Sequence, residues 1–424
     1  MSPFNLETCA RPNILALQPY RCARDDYKDD GTNILLDANE NAYGPPLPSS
    51  TSTPLSGPTL DLTTLHRYPD PHQHRLKQLL CNLRTSNPSS PVLTPDNLFV
   101  GVGSDEAIDA LLRCFCVPGR DRILVCPPTY GMYSVSAQVN DVALVRVPLL
   151  PAPGFGLDVS AILSTLSSPG SETIKLVYLC SPGNPTGARL SPADVRAVLA
   201  HPTWNGVVVV DEAYVDFCAD PDAEGNPASL AEWVTAYPNL VVMQTLSKAF
   251  GLAGVRLGVA FASAPVAGLL NSLKAPYNVS SLTAAVAEWA LGAEGLAKMR
   301  ENRARLLEQR ERLVRELPQI EGVGRLRGGL DSNFLLYEML DREGKPDNVT
   351  ALAVYERLAE NKGVVVRFRG KEHGCLGCLR ITVGTEEEVT RFLAALERTL
   401  AEVRGTVAPK DEEKREAEAS QVVD

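Results

Sequence analysis

The sequence predicts an α/β protein, with a large domain built on a mostly parallel sheet between helices and a smaller α+β domain after it. Three observations predict this. Continuous apolar runs bounded by turns, such as Ile174–Cys180 (IKLVYLC) and Gly206–Val210 (GVVVV), suit strands covered on both faces. These runs alternate with helical stretches, which places a parallel sheet between helix layers. Near Leu282 the texture changes to a long charge-rich helical stretch and then to shorter strands.

In chain order, Gly44–Thr59 is dense in Pro, Ser and Thr and reads as a surface loop. Asn97–Val100 reads as a strand and Asp105–Cys116 as a helix with apolar spacing near 3.6. Arg122–Cys126 and Ala143–Pro148 follow as strands, then the two apolar runs, then Asn239–Thr245 (NLVVMQT) and Leu257–Ala262 (LGVAFA). Glu288–Leu317 is expected as one helix, with strands at Asn333–Tyr337, Val364–Arg367 and Leu379–Val383 and a last helix at Glu386–Arg404. Lys410–Asp424 is charged and lacks aromatics, so a disordered tail is expected. The boundaries this implies are an N-terminal segment 1–60 rejoining the second domain, a large domain 61–285, a small domain 286–405 and an acidic tail 406–424.

The 424 residues, 44% of them hydrophobic, suffice for a large core. No run of about 18 apolar residues predicts a membrane span. The start, MSPFNLETCARPN, shows no secretory pattern, and Glu7, Asp25 and Asp26 oppose a transit peptide, so a cytoplasmic protein is expected. The net charge of −10 disfavours nucleic acid, and an anionic substrate would need a local arginine cluster. Ten cysteines in so long a chain suggest no disulfide framework. Cys375 and Cys378 form a lone CxxC with only His373 nearby, and no HExxH occurs, so no metal is expected.

The chemistry is concentrated at strand ends. Lys248, in TLSKAFGLAGVRLG, follows an apolar strand, where burial lowers an amine's pKa and makes it a nucleophile. Most lysines simply reach solvent, so its neighbours decide the reading. Ser247 adds a hydroxyl and Arg256 a guanidinium suited to phosphate oxygens. Asp211, at the end of GVVVVDEAY, offers a carboxylate to a ring nitrogen, and Tyr214 and Asn184 (CSPGNPTG) offer donors to a ring oxygen. The glycine turn before Ser104 and Asp105 runs into a helix whose N–H groups favour an anion. Tyr130, in CPPTYGMY, is placed to stack on an aromatic ring. Singly, each has a bland reading as cap, turn residue, surface ion pair or packing. Together, five successive strand ends supply a phosphate nest, an aromatic, an amide, a carboxylate and a lysine, the set that pyridoxal phosphate requires.

On LDANENAYGP, RYPDP, GVGSDEAIDALLR, CPPTYGMYSVSA, CSPGNPTG, VVVDEAYVDF, TLSKAFGLAGVRLG and GCLRITVGT, the chain resembles the fold-type I aminotransferases, and within them the histidinol-phosphate aminotransferase family, from about Arg11 to Arg404. The resemblance implies Lys248 as Schiff-base lysine and proton shuttle, and Asp211 as partner of the pyridinium nitrogen. It places Tyr214 and Asn184 at the phenolate oxygen, and Ser104, Asp105, Ser247 and Arg256 around the phosphate. Tyr68 (RYPD) is similar to the tyrosine that reaches the neighbouring subunit's phosphate, which implies a homodimer with composite sites. Arg380 looks like the carboxylate-gripping arginine, with Arg367, Tyr20 and Asn39 receiving a substrate phosphate. Arg369 is expected on the opposite side of its strand or in solvent. The implied reaction exchanges an amino group between glutamate/2-oxoglutarate and a phosphorylated amino alcohol of histidine biosynthesis. An aromatic or broad-specificity aminotransferase, a threonine-phosphate decarboxylase and, more remotely, a non-catalytic binder of the cofactor stay open.

Overall fold

A computed structural model describes residues 11–16, 32–47, 62–86, 92–219 and 227–406. Tyr20, residues 48–59 of the expected loop and the tail Lys410–Asp424 lie outside them. The strands are β1 Ile34–Leu35, β2 Leu98–Gly101, β3 Arg122–Val125, β4 Ala143–Arg146, β5 Ile174–Cys180, β6 Val207–Asp211, β7 Leu240–Thr245, β8 Gly258–Ala262, β9 Val323–Leu326, β10 Phe334–Met339, β11 Val364–Val365, β12 Arg367–Phe368 and β13 Cys378–Thr382.

Seven strands form one sheet in the order β2-β8-β7-β6-β5-β3-β4. β3 to β7 run parallel, whereas β8 is antiparallel to both β7 and β2. β2 therefore points with the parallel set, and six carboxyl ends share one edge. Because β8 runs back, its first residue, Gly258, lies beside Thr245 at the same edge.

Alternate residues of the central strands reach opposite faces, as strand geometry requires. Val208 and Val210 join one apolar cluster, Val207 and Val209 another. Leu76, Ile162 and Val195, from the helices His74–Arg84, Val159–Ser167 and Pro192–Leu199, cover the first face. Ile108 and Leu270, from the helices Gly103–Phe115 and Ala264–Leu273, cover the second. Two-sided cover is why these strands read as unbroken apolar runs. Each such side chain stabilises the fold by about 1.5–3 kcal/mol, and Val208→Asp would place an unpaired charge at the sheet's centre.

β12, β13, β10 and β9 form a second, antiparallel sheet. β1 pairs in parallel with β11, Ile34 beside Val364. Leu36 continues the link, donating its N–H to Val365 O and accepting from Thr382 N. Residues 37–40 are thereby anchored to the smaller sheet as they cross towards the larger one.

Two expectations need correction. The single helix expected at Glu288–Leu317 is two, Ser281–Ala290 and Ala293–Glu316, with Gly292 extended between them (ψ 170°). A Cβ at Gly295 would lie 2.4 Å from Ala290 O, so glycine lets the second helix start against the end of the first. The strand expected at Val364–Arg367 is split, because β11 pairs with β1 while β12 pairs with β13.

Candidate active site

The shared edge opens into a cleft of about 1060 Å³ including the solvent at its mouth. β2 delivers the helix Gly103–Phe115. This helix has no side-chain cap, as is also true of His74–Arg84, Met132–Val139, Ala264–Leu273 and Ala293–Glu316, but it alone of these starts at the cleft. Its first turn and dipole therefore suit an anion at Ser104 and Asp105. Gly103 takes φ +73°, and a Cβ there would meet Arg256 Nη2 at 2.5 Å. Arg256, half-exposed, closes the cradle with Nη2 3.5 Å from Asp105 Oδ2. The Tyr130 hydroxyl donates to Asp105 Oδ1 at 3.3 Å, and the buried Ser247 hydroxyl accepts from Thr245 at 2.9 Å.

β6 ends on Asp211, which is buried. Its Oδ1 accepts from Ala213 N–H at 3.1 Å and its Oδ2 from the Tyr133 hydroxyl at 2.6 Å. Burial pushes this carboxyl up to about 6, against the pull of those two hydrogen bonds. Lys248 lies just beyond β7, with Nζ donating to Ala38 O at 2.9 Å and standing 5.9 Å from the centre of the Tyr214 ring. Burial and then the Arg380 charge lower its amine to about 8, with Glu40 opposing. More of it is neutral and nucleophilic near pH 7 than of an ordinary lysine. The Tyr214 hydroxyl accepts from Asn39 Nδ2 at 2.9 Å, and burial raises it to about 12, so it keeps its proton.

The opposite wall comes from the smaller sheet. Arg367 on β12 and Arg380 on β13 are register partners. Arg380 is 3% exposed; Nη1 donates to Asn184 Oδ1 at 2.7 Å and Nη2 to Asp37 O. Its Nε is buried without a partner among the described residues. Burial and then Arg369 pull the guanidinium down to about 9. A buried cation with an unsatisfied donor and a cationic neighbour is stabilised by an arriving anion.

The cleft thus gathers the residues singled out from the sequence, with two exceptions. Tyr20 lies outside the described residues. Tyr68 is 81% exposed and does not line the chain's own cleft; its ring stacks on Tyr277 with centroids 4.6 Å apart. Arg369 is a correction: it lines the cleft, with Nη1 2.7 Å from Glu372. Residues two apart on an extended strand face the same way, and Arg369 N–H still donates to Cys378 O at 2.9 Å, so Arg369 follows Arg367 into the cleft. Sequence reasoning missed Tyr133, although its place one helical turn after Tyr130 was a signal. The Ala38 carbonyl that holds Lys248 left no signal at all. Among the described residues no cluster of His, Cys, Asp or Glu is built to hold a metal.

An uncapped helix start, a glycine-built cradle closed by Arg256, a buried carboxylate and an activated amine fit an aromatic aldehyde that carries a phosphate. The family model for aminotransferase class I and II matches residues 32–396. The histidinol-phosphate aminotransferase of Schizosaccharomyces pombe is 51% identical over 402 residues, covering 94% of this chain and 98% of that protein. Its counterpart in Saccharomyces cerevisiae is 48% identical over 406 residues, covering 94% and 98%. A crystal structure of histidinol-phosphate aminotransferase from Sinorhizobium meliloti in complex with pyridoxal-5'-phosphate has a TM-score of 0.76 and covers 93% of this chain and 98% of its own, which at 22% identity is a likeness of fold.

Proposed function

The chain belongs to the class I and II aminotransferases, and we propose that its cleft holds pyridoxal phosphate on Lys248 and serves both halves of the transamination. The enzyme moves the amino group of L-glutamate to imidazole acetol phosphate, giving 2-oxoglutarate and L-histidinol phosphate in L-histidine biosynthesis. The observation that carries the site assignment is the meeting of Lys248, Asp211 and Arg380 in one cleft.

Bound there, pyridoxal phosphate supplies an aldehyde that takes up the amino group and a ring that holds the electrons left at the substrate's Cα. Ser104 and Asp105 N–H groups, Ser247 and Arg256 receive the phosphate. Asp211 would hold the ring nitrogen, Tyr130 would pack on the ring, and Tyr214 and Asn184 would donate to its oxygen. Lys248 Nζ would serve as general base for the substrate's Cα proton, and its lowered pKa suits that task near neutral pH. Arg380 orients the substrate carboxylate, and with Arg367, Asn39 and Tyr20 it receives the phosphate of the other substrate. One cationic wall accepts both because a guanidinium fork matches carboxylate and phosphate alike.

In this reading residues 61–285 form the cofactor-binding domain, 286–405 the small domain with segment 1–60 joined to it, and 406–424 a tail. Tyr68, exposed beside Tyr277, serves the neighbouring subunit of a homodimer. Cytoplasmic residence accords with the unpaired state of the described cysteines. No described helix is long and apolar enough to cross a membrane.

The test is a half-reaction screen of the cofactor-loaded enzyme by absorbance, with histidinol phosphate, phenylalanine, tyrosine and threonine phosphate added separately. Rapid conversion of the cofactor to its amine form by histidinol phosphate alone is the expected result. Conversion by the aromatic amino acids alone, or carbon dioxide release from threonine phosphate, would replace the substrate assignment.

A further inference from the structure

We propose that Tyr133 is a positioning residue of this site, whose hydroxyl fixes the orientation and charge of Asp211. The inference rests on reading Asp211 as the partner of the cofactor's ring nitrogen. Tyr133 does not line the cleft; it is fully buried behind the residues that do, on the helix Met132–Val139. Its ring is held on two sides. It stacks on Tyr178 with centroids 4.7 Å apart at 24°, and Tyr130 meets it edge-on at 5.6 Å. A phenol so clamped cannot swing, and its 2.6 Å contact with Asp211 Oδ2 lies in the range of strong hydrogen bonds to carboxylates.

The second oxygen of Asp211 is held by Ala213 N–H, so both oxygens are oriented by donors of the protein. The titratable groups facing this carboxyl are Tyr133, Tyr178, Cys180, Tyr214, Asp105 and Lys248. Of these, Tyr133 alone among the described side chains hydrogen-bonds to it. The phenol's own ionisation is pushed far up by burial and by Asp211, so it remains a proton donor throughout the working range. A donor that favours the ionised carboxylate opposes the desolvation that favours the neutral acid. A phenylalanine would fill the ring slot equally well, so packing does not require the oxygen.

The experiment follows cofactor release from the holoenzyme against pH. Tyr133→Phe should speed release about tenfold at pH 7, the scale of one lost hydrogen bond to a charged group. The acid limb of the release profile should move to higher pH, because Asp211 then protonates sooner. KM for glutamate should be little changed while kcat falls. Tyr178→Phe, whose hydroxyl donates 3.4 Å to Ile108 O, should leave the limb where it is. Replacement of Tyr133 by 3-fluorotyrosine, a stronger donor of the same shape, should move the limb to lower pH even if the Phe variant folds poorly. In an Asp211→Asn background, Tyr133→Phe should add nothing. An unmoved limb in both Tyr133 variants, or an equal loss in the Asp211→Asn background, would overturn the inference. If Asp211→Asn alone left cofactor retention intact, the fault would lie with the Asp211 assignment instead.

Discussion

The two walls of the cleft hold their groups in different ways. On the large-sheet side Asp211, Tyr214 and Lys248 are satisfied in place: the carboxylate by Tyr133 and Ala213, the phenol by Asn39, the amine by the Ala38 carbonyl. On the small-sheet side Arg380 is buried beside Arg369 with a donor unmet, and its guanidinium is held below its usual range. One wall is preorganised without ligand; the other completes its contacts when an anion arrives. The difference suits an enzyme that keeps one cofactor and exchanges two anionic substrates.

Removing the large-sheet wall's reactive group should have the largest effect. Lys248→Ala is expected to reduce both half-reactions by about 10⁴-fold while the phosphate cradle still binds cofactor noncovalently. Stopped-flow absorbance would check this, and normal turnover would remove Lys248 from the mechanism.

Asn39 touches both walls, donating to Tyr214 and accepting from Thr382, and takes φ +54° to do so. Asn39→Ala should lower kcat by about tenfold through the lost hydrogen bonds, with cofactor affinity less affected. Steady-state kinetics beside a cofactor titration would separate the two.

The walls also meet electrostatically. Lys248 titrates near pH 8 through burial and then the Arg380 charge, so cofactor capture should rise with pH through that value as the neutral amine appears. Arg380→Met removes a charge that favours the neutral amine, so the midpoint should move to higher pH. A midpoint that stays put would show that the walls are electrostatically independent. The smallest effect belongs to the exposed rim: Tyr68→Phe should weaken cofactor binding by about 1 kcal/mol, and only where the protein is dimeric, which sedimentation at matched concentrations would check.

The same contrast sorts what the sequence disclosed. The large-sheet wall was legible because parallel strands put their carboxyl ends on one edge, and each group there follows an apolar run within a few residues: Asp211 ends β6 and Lys248 follows β7. The small-sheet wall depends on contacts between distant segments. That Arg367 lies beside Arg380 is a matter of register. Local pattern does not encode that pairing, although the two-residue spacing of Arg367 and Arg369 does put both on one side. Tyr133 escaped for a related reason: a helix shows its apolar face, but not which strand end that face will meet. The break at Gly292 was visible as a glycine, yet only the packing of Gly295 against Ala290 makes it a corner.

The most direct test of the central claim, that one cationic wall serves two substrates in turn, is Arg380→Lys followed by separate single-turnover measurements with L-glutamate and with histidinol phosphate. A lysine keeps the charge and loses the planar fork, so both rates should fall together, by about a hundredfold. A fall with one substrate and a wild-type rate with the other would contradict a shared wall and place the two anions on different residues.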